Sequence, residues 1–292
     1  MAFYKRIMVP ANAALVIVGD VQPDTITAAL EARLKTWSAG PVPQAPSVTP
    51  PAPPPPKGVY LIDKPSAAQS VLKVGKIGAA RKSSDFFSLR VMNEILGGQF
   101  TSRINMNLRE DKGYSYGAAS DFSYLRGPGP FEVSATVQTA VTKESLVEII
   151  KELTDITGKR PVTDAELAFA KQGIIRGFPS RFETTFGVAA QIAVLVDFDL
   201  PDDEFTHYQA RVEAVTKADV ERVAREYITP ASMPILIVGD RSQVEGPLKS
   251  LPFARTIQQL DSEGNALAPP ANTRPAAAAR ESSPRRARVG TN

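Results

Sequence analysis

Asn93-Glu94-Ile95-Leu96-Gly97-Gly98-Gln99-Phe100-Thr101-Ser102-Arg103, followed shortly by Leu108-Arg109-Glu110-Asp111-Lys112-Gly113-Tyr114-Ser115-Tyr116, decides how the chain is read. Upstream, Leu89, Met92 and Leu96, flanked by Val91 and Ile95, recur at helical spacing, which predicts a helix with one apolar face. That helix ends at Gly97-Gly98, because glycine adopts the conformations of a tight stop without a Cβ penalty. A shorter helix is predicted over residues 102–109. Gly113 then turns the chain into a strand over residues 114–124. One guanidinium at a helix end and one phenol at a strand start are thereby carried on either side of a glycine turn.

Moving outward, residues 58–63 and 71–77 read as strands before this stretch, and 131–138 as the hairpin partner after it, across Gly127-Pro128-Gly129-Pro130. Leu146, Ile149, Ile150, Leu153 and Ile156 mark an amphipathic helix. Thr163-Asp164-Ala165-Glu166 is a capping box opening a helix that runs to about residue 178. Residues 186–196 are apolar all round, which predicts a helix buried on most sides. Thr216-Lys217-Ala218-Asp219 opens another, with Val220, Val223 and Tyr227 on one face.

The ends of the chain carry a repeat. Ala14-Leu15-Val16-Ile17-Val18-Gly19-Asp20 and Pro234-Ile235-Leu236-Ile237-Val238-Gly239-Asp240 are both short apolar runs closed by Val-Gly-Asp and followed by a helical pattern. Each is preceded by an aromatic helical end and a proline (Tyr4 and Pro10; Tyr227 and Pro230). Both read as buried strands, and the repeat predicts two related domains, the first represented by its last strand and helix. Between them, nine prolines fall from Pro41 to Pro56 with almost nothing large and apolar. Such a segment lacks ladder donors and a core, so it predicts an extended linker. The expected division is 1–37 partial domain, 38–57 linker, 58–252 complete domain and 262–292 disordered Ala/Pro/Arg tail.

Composition narrows the function. The 292-residue chain is 43% hydrophobic and 22% charged, as in an ordinary soluble protein. It has no apolar run of membrane-spanning length, and Met1-Ala2-Phe3-Tyr4-Lys5-Arg6 is not followed by the core of a secretory signal. Much of the net charge of +3 sits in the tail (Arg274, Arg280, Arg285, Arg286, Arg288), which is not a nucleic-acid footprint on a folded face. There is no cysteine and one histidine, His207, which reads as a surface residue. A catalytic zinc takes three protein ligands, so this chain alone cannot build one of the usual sites.

Leu-Arg-Glu-x-x-Gly-x-x-Tyr, spanning Leu108 to Tyr116, resembles the signature of the second, non-zinc-binding domain of the insulinase/pitrilysin (M16) metallopeptidases. The resemblance covers roughly residues 3–251 and implies an α+β domain of the LuxS/MPP-like type, a mainly antiparallel sheet packed with helices. It implies that Arg109 and Tyr116 reach across to a peptide substrate, with Gly97, Gly98 and Tyr114 as lesser substrate-binding candidates. It also implies no cofactor in this chain, with zinc (Zn2+) held by a partner domain or subunit bearing an inverted His-x-x-Glu-His helix. The peptide would be enclosed as an extended strand on a sheet edge. For a bacterial protein the resemblance implies the cell envelope, while the sequence leaves the compartment open.

Each candidate has a plainer reading. Tyr116 shares a period-2 face with Tyr114, Phe122 and Tyr124, so it either packs in a core or reaches a ligand. Arg109 either meets substrate or pairs with Glu110 or Asp111 at its helix end. Tyr114 is expected to pack, Gly97-Gly98 to stop a helix, and Arg103 and Arg126 to lie on a solvated face. A non-catalytic scaffold subunit of the same fold, and a truncated piece of a longer peptidase, are the alternative expectations.

Overall fold

The computed structural model describes residues 1–43 and 57–267. Most of the proline-rich stretch and of the tail therefore lies outside the described residues. The chain runs α1 (Ala2–Ile7), α2 (Pro23–Leu34), β1 (Val59–Asp63), β2 (Gln69–Ile77), α3 (Phe86–Asn93), α4 (Arg103–Asn105), β3 (Ser115–Phe122) and β4 (Pro130–Gln138). Then follow α5 (Thr142–Thr154), α6 (Asp164–Gly177), α7 (Thr185–Phe198), α8 (Tyr208–Ala214), α9 (Lys217–Tyr227), β5 (Ile235–Gly239), α10 (Arg241–Lys249) and β6 (Ile257–Leu260).

The strands form one six-stranded sheet in the order β3-β4-β2-β5-β1-β6. Neighbours are antiparallel from β3 to β5, and β1 runs parallel to both β5 and β6. The α+β expectation holds, with a parallel end added to the antiparallel sheet. Strand periodicity decides the layers. Leu61, Leu72, Val74, Phe131, Val133, Val137 and Ile237 alternate onto one buried face. Against it pack the apolar stripes of α3 (Leu89, Met92) and α5 (Leu146, Ile149, Leu153), and α9, with Val220 and Val223 buried, packs in turn on α3. Both capping boxes form: Thr163 Oγ1 accepts the Glu166 N–H at 3.2 Å and Thr216 Oγ1 accepts the Asp219 N–H at 3.1 Å.

Three departures from the sequence reading matter. No residue of α7 is buried, and Phe186 is 82% exposed. Apolar composition reports what a helix would bury, not whether neighbours surround it; α7 packs mainly on the turn Pro179–Phe182. Second, residues 14–20 are not a buried strand. They join no sheet among the described residues, and Leu15 and Ile17 lie exposed. Third, β6 adds a polar strand beyond residue 252, the boundary expected for the complete domain, and α8 was not foreseen.

The repeat nonetheless extends to local geometry. After α1, Pro10–Asn12 forms a single 3₁₀ turn with the Ala13 N–H donating to the Pro10 carbonyl at 3.1 Å. After α9, Pro230–Ser232 does the same, with the Met233 N–H donating to the Pro230 carbonyl at 3.3 Å. The second copy continues as β5 between β2 and β1, where Ile237 is fully buried; its counterpart Ile17 is 40% exposed. Identical local chemistry thus ends in opposite burial, because only the second copy has strands on both sides.

Candidate functional site

The decisive stretch folds as two short helices that each loosen into a π-helical turn. α3 runs into Glu94–Gly98 and α4 into Met106–Asp111. Turns of this kind are rare and cluster at functional sites. Gly97 is buried: a Cβ there would lie 2.4 Å from the Ser120 backbone nitrogen, so only glycine lets this turn press against β3. Gly97 therefore serves packing and offers no surface to a ligand, whereas Gly98 is exposed. Gly113, at φ 65°, reverses the chain, with the Tyr114 N–H donating to the Leu108 carbonyl at 2.8 Å. Tyr114 packs half-buried against the core.

β3 begins with a bulge. Its register against β4 slips between Ser115 and Ala118. The Ser115 hydroxyl fills the gap, donating to the Thr136 carbonyl at 2.7 Å and accepting the Gly117 N–H at 3.0 Å. A bulge re-aims the side chain it carries. Tyr116, which regular alternation would place with buried Phe122, is instead 88% exposed.

Arg109 lies at the end of the second π turn. Its guanidinium sits 4.6 Å from the ring centroid of Phe100, itself 56% exposed, and Nε is 3.2 Å from Glu110. Both partners of that ion pair are about two-fifths exposed, so the pair contributes at most about 1 kcal/mol and a ligand carboxylate or carbonyl can compete for the guanidinium.

β3 is the end strand of the sheet, and its outer edge is partly closed. The Ala118 N–H donates to Asn105 Oδ1 at 3.1 Å, and the Ser120 carbonyl accepts from Asn93 Nδ2 at 2.9 Å. The Ser120 hydroxyl donates to Asn93 Oδ1 at 2.7 Å. Strand addition along residues 118–120 would have to displace these amides, which leaves the bulge as the open part of the edge. Sequence reasoning missed Asn93, Asn105 and Phe100. Asparagine is a poor residue for a helix interior, so two of them on α3 and α4 were the signal that their amides serve other partners.

Of the two arginines expected on a solvated face, Arg126 lies there and Arg103 does not. Arg103 is 7% exposed and clasps Glu166 through Nε and Nη2 at 2.7 and 2.9 Å. Arg126 donates to the Asp197 carbonyl at the end of α7. His207 is exposed, 3.4 Å from Asp203. Among the described residues no group of three or more histidine, cysteine, aspartate or glutamate side chains could hold a metal ion. With one histidine and no cysteine in the sequence, the residues present do not fit a catalytic zinc ion. No helix among the described residues is long and apolar enough to cross a membrane.

The sequence profile described as the peptidase M16 inactive domain matches residues 1–174, from α1 through most of α6, motif included. The chain belongs to the peptidase M16 inactive-domain family. Solved structures agree at the level of fold. An M16 inactive domain from Pseudomonas fluorescens superposes with a TM-score of 0.64 at 21% identity, over 76% of this chain and 52% of that one. A protease from Helicobacter pylori gives 0.67 at 21% identity, over 76% and 53%. Complex III2 from Candida albicans contains a chain matching at 0.62 and 15% identity, over 81% and 56%. The chain thus spans about half the length of the Pseudomonas fluorescens and Helicobacter pylori chains. No curated protein matches it. Within this M16 domain, the Arg109 guanidinium over the exposed Phe100 ring and the Tyr116 phenol on the bulge are both open to solvent.

Proposed function

We propose that this chain is the substrate-gripping, metal-free half of an M16-type zinc peptidase, active only with a zinc-bearing domain or subunit in trans. Arg109 and Tyr116 hold the backbone carbonyls of an extended polypeptide, one with a guanidinium and the other with a phenol hydroxyl. The observation that carries the reading is the bulge that sends Tyr116 into solvent. A packing role needs no such device, since regular alternation would have buried the ring. The N-terminal repeat supports a companion reading: residues 1–37 are the closing strand and helix of a preceding domain of the same fold, joined by the proline-rich linker. In that reading, Leu15 and Ile17 are covered by strands equivalent to β1 and β2.

Mixing the chain with a zinc-bearing M16 subunit is expected to yield peptidase activity. Tyr116→Phe should then lower turnover by roughly 100- to 1000-fold, the usual cost of one lost donor to a reacting carbonyl, without weakening assembly. Unchanged turnover removes the assigned role. The apolar helix α7, none of it buried and with Phe186, Ile192 and Val196 exposed, favours a second reading, a non-catalytic assembly subunit. Co-purification with a membrane complex instead of a zinc-bearing homologue separates the two.

A further inference from the structure

Asn105 is 5% exposed, and its amide works in two directions. Nδ2 donates to the Phe100 carbonyl at 2.6 Å, and Oδ1 accepts the Ala118 N–H at 3.1 Å. One arm therefore holds the loop whose ring carries the Arg109 guanidinium. The other holds the first regularly paired residue after the bulge that presents Tyr116. The Ala118 N–H is on the end strand and the Phe100 carbonyl in the turn before α4, and without the amide each would need water or another partner.

We propose that Asn105 is a positioning residue, fixing the Phe100–Arg109 arm relative to Tyr116 so that both donors meet one polypeptide backbone. The proposal rests on the reading of Arg109 and Tyr116 as gripping groups. Small misplacements of such groups are expensive, because a pair of donors set for one geometry loses both bonds when either arm drifts.

Two substitutions divide the clamp. Asn105→Asp keeps an acceptor for Ala118 and loses the donor to Phe100; Asn105→Ala loses both. The full-length chain is followed by amide hydrogen exchange and by fluorescence anisotropy with a short, unstructured, fluorescein-labelled peptide. Exchange at Ala118 is expected to accelerate about tenfold or more in Asn105→Ala and to stay slow in Asn105→Asp. Peptide affinity is expected to fall about tenfold in both, the equivalent of one lost hydrogen bond. Lost affinity in Asn105→Asp while Ala118 stays protected marks a positioning role, because there the fold at β3 is intact.

Asn105→Asp binding peptide as tightly as the wild type overturns the proposal, as does Ala118 exchange untouched by Asn105→Ala. Should Asn105→Ala fail to fold, Asn105→Asp alone decides. Arg109→Ala is measured alongside. If it weakens binding while the Asn105 variants do not, only the positioning role fails. If it also binds normally, or the wild type binds no peptide, the gripping site fails and the proposal with it.

Discussion

Replacing Glu166 by glutamine should flatten the acid dependence of this protein's stability. Arg103 spends its whole guanidinium on this neighbourhood. Besides the two bonds to Glu166, Nη1 donates to the Arg160 carbonyl at 2.7 Å and Nη2 to that of Pro161 at 3.2 Å. Glu166 also accepts the Thr163 N–H at 2.9 Å and so closes the cap of α6. Burial pushes the Glu166 carboxyl up, but the Arg103 and Thr163 hydrogen bonds outweigh it and hold the pKa at about 2, against an ordinary 4.5. At face value that difference is worth roughly 3 kcal/mol. The side chain is 32% exposed, and solvent screening reduces the expectation to about 1–2 kcal/mol. Because the fold favours the carboxylate, this contribution is complete above about pH 4.5 and is lost as the pH falls toward about 2. Urea unfolding at pH 7 and pH 3 measures it. The wild type should lose about 1 kcal/mol more than Glu166→Gln between the two. Equal losses would show that the Arg103 clasp does not hold the carboxylate, and the argument from its geometry would fall.

Two further outcomes follow from the same packing. Gly97→Ala places a methyl 2.4 Å from the Ser120 nitrogen, and forcing the π turn off β3 should cost about 1–3 kcal/mol in urea unfolding. Tyr116→Ala should leave stability within about 0.5 kcal/mol of the wild type, since the ring touches little, while removing peptide binding.

Local patterns were legible in the sequence, and long-range partnerships were not. Strand β4 announces itself by period-2 alternation of Phe131, Val133, Ala135 and Val137, and α6 and α9 by caps that close within four residues. β6, with Gln258 and Gln259 at its centre, carries no such signal and is a strand because β1 offers it an edge. Arg103 looked like a surface cation because its partner lies 63 positions away in α6. The motif singles out Tyr116, yet its exposure goes with a bulge in which the Ser115 hydroxyl donates to the Thr136 carbonyl across the sheet, a contact between residues 21 positions apart. α7 reverses the lesson: its apolarity was read correctly and its burial was not, because burial belongs to neighbours rather than to the helix.

The central claim is that this metal-free M16 domain holds polypeptide at the Phe100–Arg109 arm and the Tyr116 bulge. Photo-cross-linking an unstructured peptide that carries a benzophenone group, with adducts mapped by mass spectrometry, tests it directly. The account predicts adducts concentrated on residues 98–100 and 114–117 and lost in the Arg109→Ala/Tyr116→Ala double variant. Adducts spread along α7 or the outer face of the sheet, and indifferent to that variant, would contradict it.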